Sequence, residues 1–496
     1  EMSASLVGSE MCIRDSHKEI GKEMMGTGKM NRRNECQALD VQLLKENHIC
    51  GIRQEKLDLR ACEYKLRIIA KTSELVEIRV ALMENGIEDT NGSTYSFTLH
   101  PGNWQKENFS IHIPKAGMYS LSITFSKRAR VTFGVLSMLP FDHFHGMRRD
   151  VIECMKEIGI SMLRWPGGNF AGEYRWQDGL LDADERAPLE AYMENETQPY
   201  TNGYDYNEVG IDEFIALCRE IGAEPFLTIN LANASPEENA AWVEYCNGAD
   251  DTRYGKLRAQ RGHKDAYQVR YWSLGNEMGY GHMEGPMTPG QYVMLARRQM
   301  RAMLDVSPDL QLFSSGPYPS EEWGTKSAKE LAENVKYASL HHYTYVPLDY
   351  SSDEAAKNTC QAIMDAPKEA YRLIQEMRTC LGNKIHISFD EWNCWYAWYR
   401  PSSAAEGLYA AGMLQLFLNE SNAMDMPVCC YFQPISEGAI EIKGNNCRLT
   451  ATGQVFSMLK AHCGGSLCPS LKNNSVAATI KAVSYTHLRA HETSAH

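Results

Sequence analysis

A chain of 496 residues has room for one large domain and a smaller one, and 43% hydrophobic with 23% charged residues is an ordinary globular composition. A formal net charge of −13 sets the chain against nucleic acid and anionic membranes as principal partners and favours a neutral substrate. No apolar run reaches the ~18 residues of a membrane-spanning helix. The 15 cysteines show no metal-ligand spacing and read as small buried hydrophobes rather than a disulfide framework, which favours a cytoplasmic over a secreted setting.

The two ends read as sequencing-adapter artefact, over residues 1–16 and 482–496. Leu6–Ser16 and Ala482–Glu492 are encodable as the two strands of one DNA segment, letter for letter. The expectation is a coding sequence interrupted at both ends, so the lack of a leader carries no weight. Residues 17–34 are polar and unpatterned. Short alternating runs then dominate, among them Tyr64–Ala70, Val76–Leu82 and Tyr119–Phe125, separated by turn clusters such as Asn91-Gly92-Ser93. They predict a small antiparallel, carbohydrate-binding-like β-sandwich over 17–135, which either binds sugars or supports its neighbour.

After Pro140 the period changes. Met147–Gly159 places Val151, Ile152, Met155 and Ile158 on one helical face, and Met162–Pro166 follows as a strand. Ile211–Gly222 repeats the helix with Phe214, Ile215, Cys218 and Ile221, and leads into Glu224–Leu231. Strand-like runs recur at 269–277, 310–317, 337–343, 385–393 and 427–435, with helix-length segments such as Thr288–Val306 and Pro367–Leu381 between them. Seven strands alternating with helices predict a parallel α/β fold over 136–465. Polar residues gathered at strand C-terminal ends favour a closed barrel over an open sheet. There is no GxGxxG or GxxxxGK[ST] loop, and no cofactor is expected.

Two strand ends carry the chemistry. Tyr271-Trp272-Ser273-Leu274-Gly275 climbs to Asn276-Glu277, and Ile385–Phe389 climbs to Asp390-Glu391-Trp392-Asn393. Glycoside cleavage needs a protonated carboxyl for the leaving oxygen and an ionised one to attack the anomeric carbon or activate water. Glu277 suits the acid/base and Glu391 the nucleophile. Asn276 would hold a sugar hydroxyl, and Arg164 would keep Glu391 ionised. Asn169, His341, Tyr343 and Gln433 lie at or just past other strand ends. Trp392, Trp395, Tyr396, Trp398 and Tyr399 supply candidate walls for sugar faces, half of them expected to be mere packing. His341 and His342 alternate along a strand and face opposite ways, so they do not form one metal site; no metal is expected.

In order, GMRRDVIECMKEIG, LRWPGGNF, EPFLTINL, AAWVEYCNG, YWSLGNEM, SLHHY and SFDEWN resemble glycoside hydrolase family 51, the α-L-arabinofuranosidases, over roughly residues 130–465. The resemblance implies a (β/α)8 TIM barrel and a retaining exo-glycosidase. Its substrates would be terminal non-reducing α-L-arabinofuranosyl residues of arabinan or arabinoxylan oligosaccharides. It places the acid/base at Glu277 after strand four and the nucleophile at Glu391 after strand seven. Asn169, Asn276, His341, Tyr343 and Gln433 would contact the arabinofuranose. A homo-oligomer, often a hexamer, is implied for the parent protein.

The departures are specific. The family has a barrel strand ahead of the sandwich that contributes a sugar-gripping glutamate; residues 17–34 show none, so the first strand is expected to be missing. A closing C-terminal sandwich is expected only as its start over 466–481, around Ser475–Ile480. Arg186–Tyr206 lacks the tryptophan that lines the family's sugar pocket. The alternatives are another retaining barrel glycosidase, such as a β-xylosidase or endoglucanase, or a truncated form that binds carbohydrate without cleaving it.

Overall fold

Strand alternation builds the first part of the described structure. The strands, numbered in chain order, are β1 (Leu39–Leu43), β2 (Cys50–Leu59), β3 (Glu63–Thr72), β4 (Val76–Glu84), β5 (Ile87–Glu88), β6 (Thr94–Leu99), β7 (Gln105–His112), β8 (Gly117–Phe125) and β9 (Ala129–Pro140). They form two antiparallel sheets, ordered β1-β9-β3-β7 and β2-β8-β4-β5, with β6 also paired to β4. In β4 the side chains of Val76, Ile78, Val80 and Leu82 are buried while Glu77 and Arg79 are exposed. Tyr64, Leu66, Ile68 and Ala70 of β3 and Tyr119, Leu121, Ile123 and Phe125 of β8 complete one apolar core. Its tyrosines keep their hydroxyls satisfied: Tyr64 accepts from the Arg60 amide at 2.8 Å and Tyr119 donates to the Lys115 carbonyl at 2.7 Å. This is a β-sandwich, as the alternation predicts.

The computed structural model describes residues 38–44, 48–84, 87–88, 94–186, 189–190, 192–193, 196–197, 204–205, 207–279, 287–315, 321–394, 402–435, 438–462, 466–467 and 481–482. They divide into two units, and the sandwich unit also takes in Arg175–Ala216 and Ile442–Cys447. The first of these stretches holds the short strands β11 (Leu189–Glu190), β12 (Tyr192–Met193), β13 (Glu196–Thr197) and β14 (Tyr204–Asp205). It is pinned by Arg186, whose buried guanidinium donates to the carbonyls of Leu181, Asn207 and Glu208 and to Glu213. In the second stretch, the Gly444 carbonyl accepts from Arg148 at 2.7 Å and Asn445 donates to Asp58 at 2.7 Å.

The other unit is a parallel sheet of seven strands in sequential order: β10 (Met162–Trp165), β15 (Glu224–Thr228), β16 (Tyr271–Ser273), β17 (Gln311–Ser314), β18 (Val335–Thr344), β19 (His386–Cys394) and β20 (Val428–Tyr431). The fold is that of the (β/α)8 barrel, with seven strands among the described residues. Residues 17–34 and Ser475–Ile480, and most of Arg186–Tyr206, lie outside the described residues. Helices connect the strands, several of them started by local side-chain caps. Ser235 caps Pro236–Asn247, and Thr288 with Gln291 forms a capping box on Pro289–Val306. Among the described residues no helix is long and apolar enough to cross a membrane.

Two apolar layers hold the barrel. Inside it, Phe226, Phe313 and Val428 pack with Met162, Tyr271, Tyr337 and Cys430; Phe313 stacks on Tyr337 with centroids 4.2 Å apart. Outside it, Ala338 and Leu340 of β18 and Ile387, Phe389 and Trp392 of β19 pack with Ile374, Met377, Tyr409 and Phe417 of the helices. Phe389 and Trp392 share this outer layer although three positions separate them. The reason is an extra residue in β19. Its pairing advances from Ser388 to Glu391 while β18 advances only from Ser339 to His341, and from Phe389 to Trp392 while β20 advances only from Cys429 to Tyr431. This β-bulge re-aims the side chains that follow it.

Candidate active site

The bulge decides what reaches the barrel mouth. Strict alternation from the outward Ile387 and Phe389 would send Glu391 outward too. With one extra residue both Asp390 and Glu391 turn to the interior and Trp392 takes the outer position. Glu277 arrives differently, from a tight turn after β16. Gly275 there has φ +85°, and a Cβ on it would meet Met278 Sδ at 2.6 Å. Glu277 itself is left-handed, at φ 47°. A non-glycine residue in that region costs about 1–3 kcal/mol, a strain typical of functional sites.

These devices bring the two glutamates to one histidine. Nδ1 of His341 lies 2.8 Å from Glu277 Oε1 and 3.2 Å from Glu391 Oε2. Arg164 pairs with Glu391 Oε2 at 3.2 Å and donates to Asn276 Oδ1 at 2.6 Å. Asn276 in turn donates to Asn169 Oδ1 at 3.1 Å, and the Tyr343 hydroxyl donates to Glu391 Oε1 at 2.5 Å. Below this layer, Asp390 Oδ1 accepts from Ser339 at 2.6 Å and lies 3.4 Å from His341 Nε2, while Ser339 Oγ is 3.1 Å from that same nitrogen.

The charges are mutually dependent. Burial alone would depress the His341 imidazole, but the Glu391 charge and the bonds to Asp390 and Glu277 push it up to about 10. It is an imidazolium at neutral pH. Burial would raise the Asp390 carboxyl, yet His341, Arg164 and Ser339 hold it below its ordinary value. Burial and the neighbouring Glu391 charge raise the Tyr343 phenol, so it remains a donor.

Donor atoms of Glu277, His341 and Glu391 lie within 4.8 Å of one another. That brings the carboxylates close to the ~5–5.5 Å of retaining glycosidases and well short of the ~6.5–9.5 Å an inverting pair needs. The trio also has a metal-like spacing. However, a doubly protonated imidazole has no lone pair to offer, and its Nδ1–H already faces both carboxylates.

Of the residues singled out in the sequence, Arg164, Asn169, Asn276, Glu277, His341, Tyr343 and Glu391 form this one connected network. Gln433 lies two residues past the end of β20 and is half-buried. Trp392 does not join them, and its assignment to substrate is corrected. It is fully buried against Tyr431, Phe417 and Tyr409, with centroids 4.9, 5.3 and 6.1 Å away, because the bulge turns it towards the helices. Trp395, Tyr396, Trp398 and Tyr399 lie outside the described residues. Sequence reasoning missed Asp390 and Ser339. Consecutive carboxylates at one strand end were the available signal for Asp390, and alternation from His341 was the signal for Ser339.

Fold and site together resemble those of barrel glycoside hydrolases. Residues 154–358 match the family model described as "Alpha-L-arabinofuranosidase 1 domain". A probable α-L-arabinofuranosidase C of Aspergillus terreus is 30% identical over 60% of this chain and 61% of its own length. An intracellular exo-α-(1→5)-L-arabinofuranosidase of Streptomyces lividans is 33% identical over 51% of this chain and 38% of its own. Among solved structures, an α-L-arabinofuranosidase of Thermotoga maritima in complex with arabinose aligns with TM-score 0.54 at 31% identity, covering 65% of each chain. The chain is thus similar to the α-L-arabinofuranosidases of glycoside hydrolase family 51. It spans about three fifths of the length of the first of these curated relatives.

Proposed function

We propose that the chain is the catalytic part of a retaining exo-acting α-L-arabinofuranosidase, with an arabinose-containing oligosaccharide as substrate. The observation that carries the reading is the pairing of Glu277 and Glu391 across one imidazolium, with their facing oxygens within 4.8 Å. Glu277 gives its proton to the glycosidic oxygen as the bond to the anomeric carbon breaks, and Glu391 forms an ester at that carbon. Glu277 then takes a proton from water, the water oxygen attacks the same carbon, and Glu391 leaves as carboxylate. Arg164 and Tyr343 hold both Glu391 oxygens, which fixes the nucleophile in aim. Asn276, tethered between Arg164 and Asn169, is the group to bind the hydroxyl beside the reacting carbon. Names of family relatives support arabinofuranose as the sugar; the half-buried Gln433 completes the proposed contact set.

The test is hydrolysis of an aryl α-L-arabinofuranoside beside the matching β-D-xyloside, with the first-formed anomer read by NMR. Expected are arabinofuranoside cleavage with retained configuration and a loss of at least about 10⁴-fold in Glu391→Ala. Cleavage of the xyloside alone, or an inverted product, overturns the reading.

A further inference from the structure

The mechanism above leaves Asp390 unused, and its burial calls for a reason. Its side chain has no solvent exposure, and its Oδ2 has no hydrogen-bond partner. A carboxylate in such a place is costly unless an opposite charge and hydrogen bonds hold it. What holds it is His341 Nε2 at 3.4 Å and the Ser339 hydroxyl at 2.6 Å. On the far side of the same ring, Nδ1 faces Glu277 and Glu391 at 2.8 and 3.2 Å. The imidazole thus separates one carboxylate that takes no part in bond making from two that do.

The two reacting carboxyls exchange charge. In the first half-reaction Glu391 loses its negative charge to the ester while Glu277 gains one by giving up its proton. In the second half-reaction the transfers reverse. One negative charge therefore faces His341 Nδ1 throughout, and only its owner changes. We propose that Asp390 is a positioning residue for this reaction: with Ser339 it keeps a charged, fixed imidazole between Glu277 and Glu391, so that the Nδ1–H bond passes from one to the other as charge moves.

In the first step the passing bond stabilises Glu277 as it becomes anionic, preparing it as the base for the second. In the second it receives Glu391 back as a carboxylate. A neutral imidazole would offer Glu277 and Glu391 no such compensation. The groups facing the ring are Glu277 after β16 and Asp390 and Glu391 of β19. Arg164 of β10 and Tyr343 of β18 contact Glu391, and Cys430 of β20 lies near Asp390 and Arg164. The inference rests on the retaining-glycosidase reading for its catalytic half, while the charge on His341 is testable without substrate.

Asp390→Asn preserves the shape and the acceptor for Ser339 and removes the charge. In the substrate-free protein, the His341 ring resonances (assigned with His341→Asn) are followed by NMR through alkaline pH. Wild type stays protonated well above neutrality, and Asp390→Asn deprotonates at least one pH unit lower. With aryl arabinofuranoside, kcat falls about tenfold or more, KM changes less, and the alkaline limb of the kcat profile moves the same way. Ser339→Ala, which keeps the carboxylate, shows both effects in smaller degree and decides the matter if Asp390→Asn does not fold. An unshifted His341 titration, or a kcat loss that only tracks the folded fraction at unchanged pH profile, overturns the inference. A shifted titration in a wild-type protein that cleaves no arabinofuranoside sinks the functional reading and leaves the charge assignment standing.

Discussion

The sandwich core and the mouth of the barrel start from the same rule of alternating side chains and use it to opposite ends. In the sandwich every buried inward position of β3, β4 and β8 named above is apolar, and the charged residues of β4 face out. In the barrel the inward positions of β10, β18 and β19 become polar as the strands rise: Met162 then Arg164, Tyr337 then Ser339 and His341, Ser388 then Asp390 and Glu391. The lower ends are core and the upper ends are chemistry. Backbone irregularity serves different ends in the two regions. In the sandwich β2 and β9 each carry an extra residue around an apolar core, whereas at the mouth a left-handed Glu277 and an extra residue in β19 accompany inward carboxyls.

The first way to break that contrast is Trp392→Ala. Trp392 sits one residue from Glu391, the proposed nucleophile, yet belongs wholly to the packing outside the barrel, so its loss acts as a core truncation of about 3–5 kcal/mol. Chemical denaturation is the measurement. A drop in KM-dependent terms with unchanged stability would return Trp392 to the sugar site. A smaller effect comes with pH. His341 is raised in the folded protein from its ordinary 6.5 to about 10. Its contribution to stability is complete below about pH 6.5 and is lost as pH rises through about 10. Melting temperature should therefore decline across that window in wild type and less so in His341→Asn; parallel curves would contradict the assigned charge.

The sequence made the architecture legible because each element announces itself locally. Seven of the strand runs and the helices Pro289–Val306 and Pro367–Leu381 lie where periodicity and caps put them. Glu277 and Glu391 could be singled out because two strand ends each finish on a glutamate and other polar residues gather at neighbouring strand ends, which a barrel brings to one mouth. The outward place of Trp392 was not legible, for a physical reason. A bulge adds one residue without a mark in composition, and each position beyond it changes face. Trp392 looked like a partner of Glu391. The hydrogen bonds of Arg164 to Asn276 and Asn276 to Asn169 join residues 112 and 107 positions apart, which no local pattern encodes.

The most direct test of the account is covalent trapping. Glu277→Ala, which retains the nucleophile but lacks the base for the second step, is incubated with an arabinofuranoside bearing a good leaving group and then analysed by intact mass and peptide mapping. The account predicts an adduct of one anhydro-pentose on the peptide carrying Glu391, released on adding azide with retained configuration. Absence of the adduct together with an inverted azide product would contradict the assignment of Glu391 as nucleophile and of the pair as a retaining site.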